Sequence, residues 1–159
     1  MSTLAPSDRL TFLCGVVARE VHYLLDTDGR LFSQPMTPQR AAALPQQPLL
    51  AEQVDAFVAR FGRLQDTLGD KLLPALLAWL AEPVGPVIDN LGRAERWCWI
   101  DSAEAWMTLR QLRNRMVHEY VSDPAILSDA LSAAHAGVTM LVDAAHRMQS
   151  EVQQRSTHL

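Results

Sequence analysis

Cysteine is scarce in this chain: of 159 residues, only Cys14 and Cys98 carry a thiol. They lie far apart in apolar surroundings, with no CxxC spacing and no secretory signal ahead of them. This argues against a disulfide framework and reads as a reduced thiol pair in a cytoplasmic protein. Long apolar runs are also missing. A membrane span needs roughly 20 apolar residues, and even the stretch at 72–80 stops after about nine, so a soluble protein with no membrane association is expected. There is no Gly-rich phosphate loop, no carboxylate pair of hydrolase type and no Ser/His/Asp arrangement, which removes the common nucleotide-binding and hydrolytic signatures. Nothing alternates with the period of a strand, and no internal repeat is visible. Positive charge is not in excess either, since the formal net charge is −4. That excludes a protein that coats nucleic acid over its whole surface and leaves room only for a local basic patch.

What is present is helical periodicity in a chain of single-domain size, with an ordinary hydrophobic share of 48%. Ser7 or Asp8 can cap a first helix that carries Leu10, Leu13, Val17, Val21 and Leu24 at 3–4 spacing, and DTDG at 26–29 is expected to end it. Residues 30–48 hold Pro35, Pro38, Pro45 and Pro48. They read as a loop insertion, the least ordered part of the chain, with one short helical turn near 38–44. From Leu50, a second helix aligns Val54, Phe57, Phe61, Leu64 and Leu68, with Arg60 and Arg63 off the stripe. Gly69, Asp70 and Pro74 then predict a kink or break before the pattern resumes at 72–81. EPVGP at 82–86 is a turn, followed by a shorter helix to about Trp97. Asp101 followed by Glu104 resembles a capping box for the next helix, and Asp123 with Pro124 opens the last. There Leu127, Leu131, Ala134, Val138, Leu141, Ala145, Met148 and Val152 form a seam suited to long antiparallel helices.

The most polar stretch of this helical pattern is "RNRMVHEY", from Arg113 to Tyr120. At about 100° per residue, Leu109, Leu112 and Met116 share an apolar arc, with Trp106 and Tyr120 at its edge. Arg113, Arg110, Asn114 and His118 follow one another around the adjoining flank, while Arg115 and Glu119 fall on the far side. The flank thus gathers a permanent cation, an amide and an imidazole. Arg113 can hold a phosphate through two parallel hydrogen bonds, and His118 can exchange protons near neutral pH. Asn114 can orient His118 or touch the same phosphate. The set suits metal-free phosphodiester chemistry on RNA, whose 2′-OH is an internal nucleophile. An exposed polar flank beside a bundle core would look the same.

Arg113, Asn114 and His118, followed by Glu119 and Tyr120, match the R-polar-x3-H pattern, extended to R-x4-H-x-Y, of the HEPN superfamily. Together with "FVARFGRLQD", "NLGRAERWCWI" and "WMTLRQLRNRMVHEY", they resemble the HepT-type toxins paired with minimal nucleotidyltransferases. The resemblance runs from about Ala51 to the end of the last helix. It implies an all-α, up-and-down bundle of four to five helices, spanning 1–159 as one domain and forming a homodimer. It also implies that RNA is cut without a metal or other cofactor in a cleft at the dimer interface. Arg113 would stabilise the scissile phosphate, Asn114 would support it, and His118 would serve as general acid or base. Tyr120 would be the tyrosine that the partner nucleotidyltransferase adenylylates to neutralise the toxin. A second expectation is a non-catalytic helical subunit that presents substrate to such a nucleotidyltransferase.

Other residues carry weaker signals. Arg93, Arg96, Arg110 and Arg115 can form, with Arg113, a basic rim for the RNA backbone, or simply a solvated face. His135 and His146 share a face of the last helix but stand about 16 Å apart by helical rise, too far for one metal. His22 reads as a partly buried structural histidine, with a place in the site across the bundle as the lesser alternative, and His158 as part of a frayed tail. Trp97, Trp99 and Trp106 are spaced as core or interface anchors, with base stacking as the lesser alternative.

Overall fold

The computed structural model describes residues 5–118 and 123–156, apart from the His118 side chain. Among the described residues every regular element is a helix: α1 Asp8–Leu31, α2 Pro38–Ala42, α3 Pro48–Asp66, α4 Leu73–Trp79, α5 Val87–Arg96, α6 Ala103–His118 and α7 Pro124–Ser156. A π-helical segment, Thr67–Leu72, joins α3 to α4, and a 3-10 turn, Leu44–Gln46, follows α2.

The apolar stripes decide which faces meet. Each residue expected on the seams of α1, α3 and α7 is buried, and every helix contributes to one continuous core. Burying a Leu, Val or Phe side chain stabilises by about 1.5–3 kcal/mol, so these seams supply most of the driving force for assembly. Cross-helix contacts fix the directions. Thr67 meets Glu20 and Arg60 meets Thr27, which makes α3 antiparallel to α1. Gln149 reaches the Cys14 carbonyl and His135 meets Asp28, so α7 is antiparallel to α1. Arg113 faces Asp66 and Arg110 faces Asp70, while Arg147 at the far end of α7 meets Asp101 just before α6. Helix α6 therefore runs antiparallel to both α3 and α7. The result is an up-and-down helical bundle in the ring order α1, α3, α6, α7, with α5 packed beside α6.

By length and composition α7 would also suffice to cross a bilayer, although no uninterrupted apolar run of that length occurs. Half of its apolar stretch is buried inside the bundle, the composition a central core helix requires.

Three local expectations change, and a fourth is met in part. DTDG does not end α1: Thr27 lies on the buried face, Leu31 is fully buried beyond it, and the Thr27 hydroxyl accepts a hydrogen bond from Arg60. Tertiary contact outweighs turn propensity there. The 30–48 segment is not loosely held. Met36, Ala41 and Leu44 enter the core, and Arg40 donates to the carbonyls of Leu31 and Gln34 at 2.7 and 2.8 Å. At 69–74 the helix is irregular, as the kink expectation has it, but the chain does not break: only Leu73 separates the π segment Thr67–Leu72 from Pro74, and its wider turn lets the helix run on past a residue with no N–H to donate. Finally, the side chain capping α6 belongs to Ser102, whose Oγ accepts the Ala105 N–H at 3.0 Å. Asp101 pairs instead with Arg147 at 2.8 Å. Asp123 caps α7 as expected, its Oδ1 accepting the Ala125 N–H at 2.9 Å.

Candidate phosphate site on the sixth helix

Helix α6 is held in the bundle by Trp106, Leu109, Leu112 and Met116, all buried. Leu109 seats closely on α7, where a Cβ at Gly137 would come within 2.5 Å of Leu109 Cδ2. With that face fixed, the helical period turns Arg110 and Arg113 toward α3 and leaves Asn114 and Arg115 exposed.

Arg113 lies across Gly62 of α3. A Cβ at position 62 would stand 2.8 Å from its Nε and 3.2 Å from its Cγ, so glycine is what lets the stem rest against the α3 backbone. Its guanidinium faces the Asp66 carboxylate with both terminal nitrogens, Nη2 to Oδ2 at 3.0 Å and Nη1 to Oδ1 at 3.3 Å. One turn along, Arg110 Nη1 stands 4.0 Å from Asp70 Oδ1. The Arg113 and Asp66 side chains keep 30% and 37% exposure. Their pair therefore remains in contact with water and belongs to the class of ion pairs worth about 0.2–1 kcal/mol. Beside it opens a groove of about 300 Å³ lined by Asp55, Val58, Ala59, Gly62, Arg113, Met116 and Val117.

The arrangement can bind an oxyanion. A guanidinium fork facing a carboxylate has the geometry that also fits phosphate, and a phosphate arriving at Arg113 end-on would take the place of Asp66. His118 closes α6, about 7.5 Å of helical rise beyond Arg113. Its side chain and all of Tyr120 lie outside the described residues, as does Glu119.

The remaining expected site residues distribute themselves as follows. Arg110 joins Arg113 on the α3-facing edge. Arg115 is exposed elsewhere on α6. Arg93 and Arg96 stand on α5, outside the groove lining, and Arg93 donates to Asn90 Oδ1 at 3.2 Å. Asn90 in turn ties down the Gly85 backbone at both N–H and C=O, so this arginine serves the turn before α5. Trp99 and Trp106 are core residues, and Trp97 stacks on Trp99 with ring centroids 5.3 Å apart and Arg155 over its face. His135 contacts Asp28 at 2.7 Å and stacks on Phe32. Among the described residues, no three of His, Cys, Asp and Glu come together as metal ligands.

Sequence reasoning missed Asp66, Asp70 and Gly62. The available signal was two carboxylates one helical turn apart on α3 and its π extension, matching two arginines one turn apart on α6. Reading it requires the antiparallel register of the two helices. Compared with protein-family models, curated proteins and solved structures, the chain matches none.

Proposed function

We propose that this protein is a metal-independent endoribonuclease toxin of HEPN type, cytoplasmic and homodimeric, neutralised by a partner minimal nucleotidyltransferase. The observation that carries this reading is the Arg113 guanidinium, held over Gly62 at the edge of an open groove with its fork end-on to the Asp66 carboxylate, a geometry that also fits a phosphate. Asn114, exposed on the next flank of the same helix, and the antiparallel bundle around α6 support it.

In this reading Arg113 binds the non-bridging oxygens of the scissile phosphate and stabilises the charge that builds on them. The 2′-OH loses its proton to one imidazole and attacks the phosphorus, and the departing 5′-oxygen receives a proton from a second acid. One chain offers a single His118, so a twofold dimer that brings two motif helices together supplies base and acid at once. Asn114 helps hold the phosphate. Tyr120 is not required for cleavage and is the residue that the nucleotidyltransferase modifies.

Two observations favour a second reading. The Arg113 fork is already engaged by Asp66, and the net charge is −4, as would suit a non-catalytic subunit that presents substrate to a nucleotidyltransferase.

Expression in bacterial cells separates the two. The nuclease reading predicts growth arrest by the wild type, its loss in His118→Gln, and toxicity in Tyr120→Phe that a co-expressed cognate nucleotidyltransferase no longer relieves by modification. Growth unaffected by the wild type, together with a stable complex with the nucleotidyltransferase, would favour the second reading.

A further inference from the structure

Resting on the nuclease reading above, we infer that Asp66 and Asp70 form a carboxylate latch over the phosphate track of α6, and that RNA binds by replacing these carboxylates with two of its backbone phosphates. The juxtaposition is a two-rung ladder. Asp66 faces Arg113 with both oxygens at 3.0 and 3.3 Å, and Asp70 stands 4.0 Å from Arg110. The acids are one turn apart on one continuous helix and the arginines one turn apart on its antiparallel neighbour.

Three physical points favour exchange over a fixed structural pair. Both rungs remain partly exposed, at 30% and 37% for Arg113 and Asp66 and 35% and 40% for Arg110 and Asp70, so displacing a carboxylate leaves it in water rather than in the core. The Arg113 stem also rests against Gly62, a contact separate from its pair with Asp66, which favours the guanidinium keeping its place when its partner changes. An exposed ion pair is weak, whereas each phosphate that takes a guanidinium also releases condensed counterions from the nucleic acid. The latch therefore lowers affinity for stray anions while yielding to a polyanion. It gives a protein of net charge −4 a basic track that is uncovered only by its substrate.

The test is the affinity of a short, fluorescein-labelled 2′-O-methyl oligoribonucleotide, which lacks the 2′-OH nucleophile, measured by anisotropy at fixed low salt for the full chain. Asp66→Asn should bind about two- to fivefold more tightly than wild type, the factor corresponding to loss of one exposed ion pair. Asp129→Asn, which removes the same charge from an exposed site on α7, should change affinity much less. Arg113→Ala should bind more weakly, and the Asp66→Asn gain should vanish on that background. Circular dichroism confirms that each variant keeps its helical fold. If the wild type binds through Arg113 and Asp66→Asn binds no more tightly, or more weakly, the latch is overturned and Asp66 is a positioning residue for Arg113, while the nuclease reading stands. If neither the wild type nor Asp66→Asn binds the oligonucleotide, the nuclease reading falls and the latch falls with it.

Discussion

Glu20, half-buried on α1, accepts a hydrogen bond from the Thr67 hydroxyl at 3.0 Å through Oε1. Its Oε2 is buried without a hydrogen-bond partner among the described residues. Burial pushes the carboxyl above its ordinary range, and the Thr67 hydrogen bond and the nearby Arg63, Lys71 and Arg19 only partly offset this. The folded chain therefore holds this proton more tightly than the unfolded chain. The associated stability is fully present below the ordinary carboxylate pKa and is lost as the pH rises through the elevated value. Glu20→Gln keeps the size and an oxygen acceptor for Thr67 but cannot ionise. Thermal melts should show it more stable than wild type at pH 7, with the difference closing as the pH is lowered to about 4. A difference of equal size at both pH values would show that burial of the charge is not the cause. The same residue-level reasoning explains Gly62. The glycine creates no turn there but yields the volume into which the Arg113 stem fits.

At the scale of the element, α4 and α5 end alike. Glu82 N–H reaches back to the Leu77 carbonyl at 2.8 Å, and Trp99 N–H to the Ala94 carbonyl at 2.9 Å. The residue before each, Ala81 or Cys98, sits at φ 59° or 62°. These are glycine positions of the Schellman helix stop occupied by residues with a Cβ, a conformation that costs roughly 1–2 kcal/mol outside glycine. Both side chains are exposed, so their removal forfeits little packing. Ala81→Gly and Cys98→Gly should each stabilise the chain by about 1 kcal/mol, offset in part by the greater freedom of glycine when unfolded. Melting temperatures should rise by about 2–4 °C, and unchanged or lowered values would contradict this account of the helix ends. Elements of this kind mark the boundary of what the sequence discloses. The seams of α1, α3 and α7 were legible because burial follows the 3.6-residue period, and the α6 wheel placed Arg113 and Arg110 on the flank where they are found. The continuation of α1 through DTDG was not legible, because it depends on Thr27 and Leu31 meeting other helices. The interruption at 69–74 was legible as a kink or break, but not its form, since a proline in a helical pattern reads as a stop unless the chain widens before it. The carboxylates facing Arg113 and Arg110 escaped notice for a related reason: pairing between helices is set by tertiary register, and no local spacing encodes it. That His118 belongs to the helix of Arg113 was legible, whereas the His118 side chain and Tyr120 lie outside the described residues.

For the molecule as a whole, the bundle places the Arg113 fork on the rim of an open groove with Arg110 one turn away, each facing a carboxylate, in a protein of net charge −4. In the proposed nuclease, affinity for RNA would come from a few local contacts, and its salt dependence should be correspondingly shallow, in proportion to the few phosphates engaged. The proposed dimer fits this economy, because two copies of α6 would double both the guanidinium contacts and the imidazoles without adding positive charge elsewhere. Arg113 to Lys is the informative change within the site. It keeps the charge but loses the planar fork, and so should reduce activity nearly as much as Arg113→Ala. The central claim, that Arg113 and His118 cut RNA without a metal, is tested most directly by incubating the purified chain with single-stranded RNA in excess chelator and resolving the products by length. The account predicts endonucleolytic fragments from the wild type, and none above background from Arg113→Lys or His118→Gln folded to the same helical content. Cleavage that requires added Mg²⁺, or that survives in His118→Gln, would contradict it.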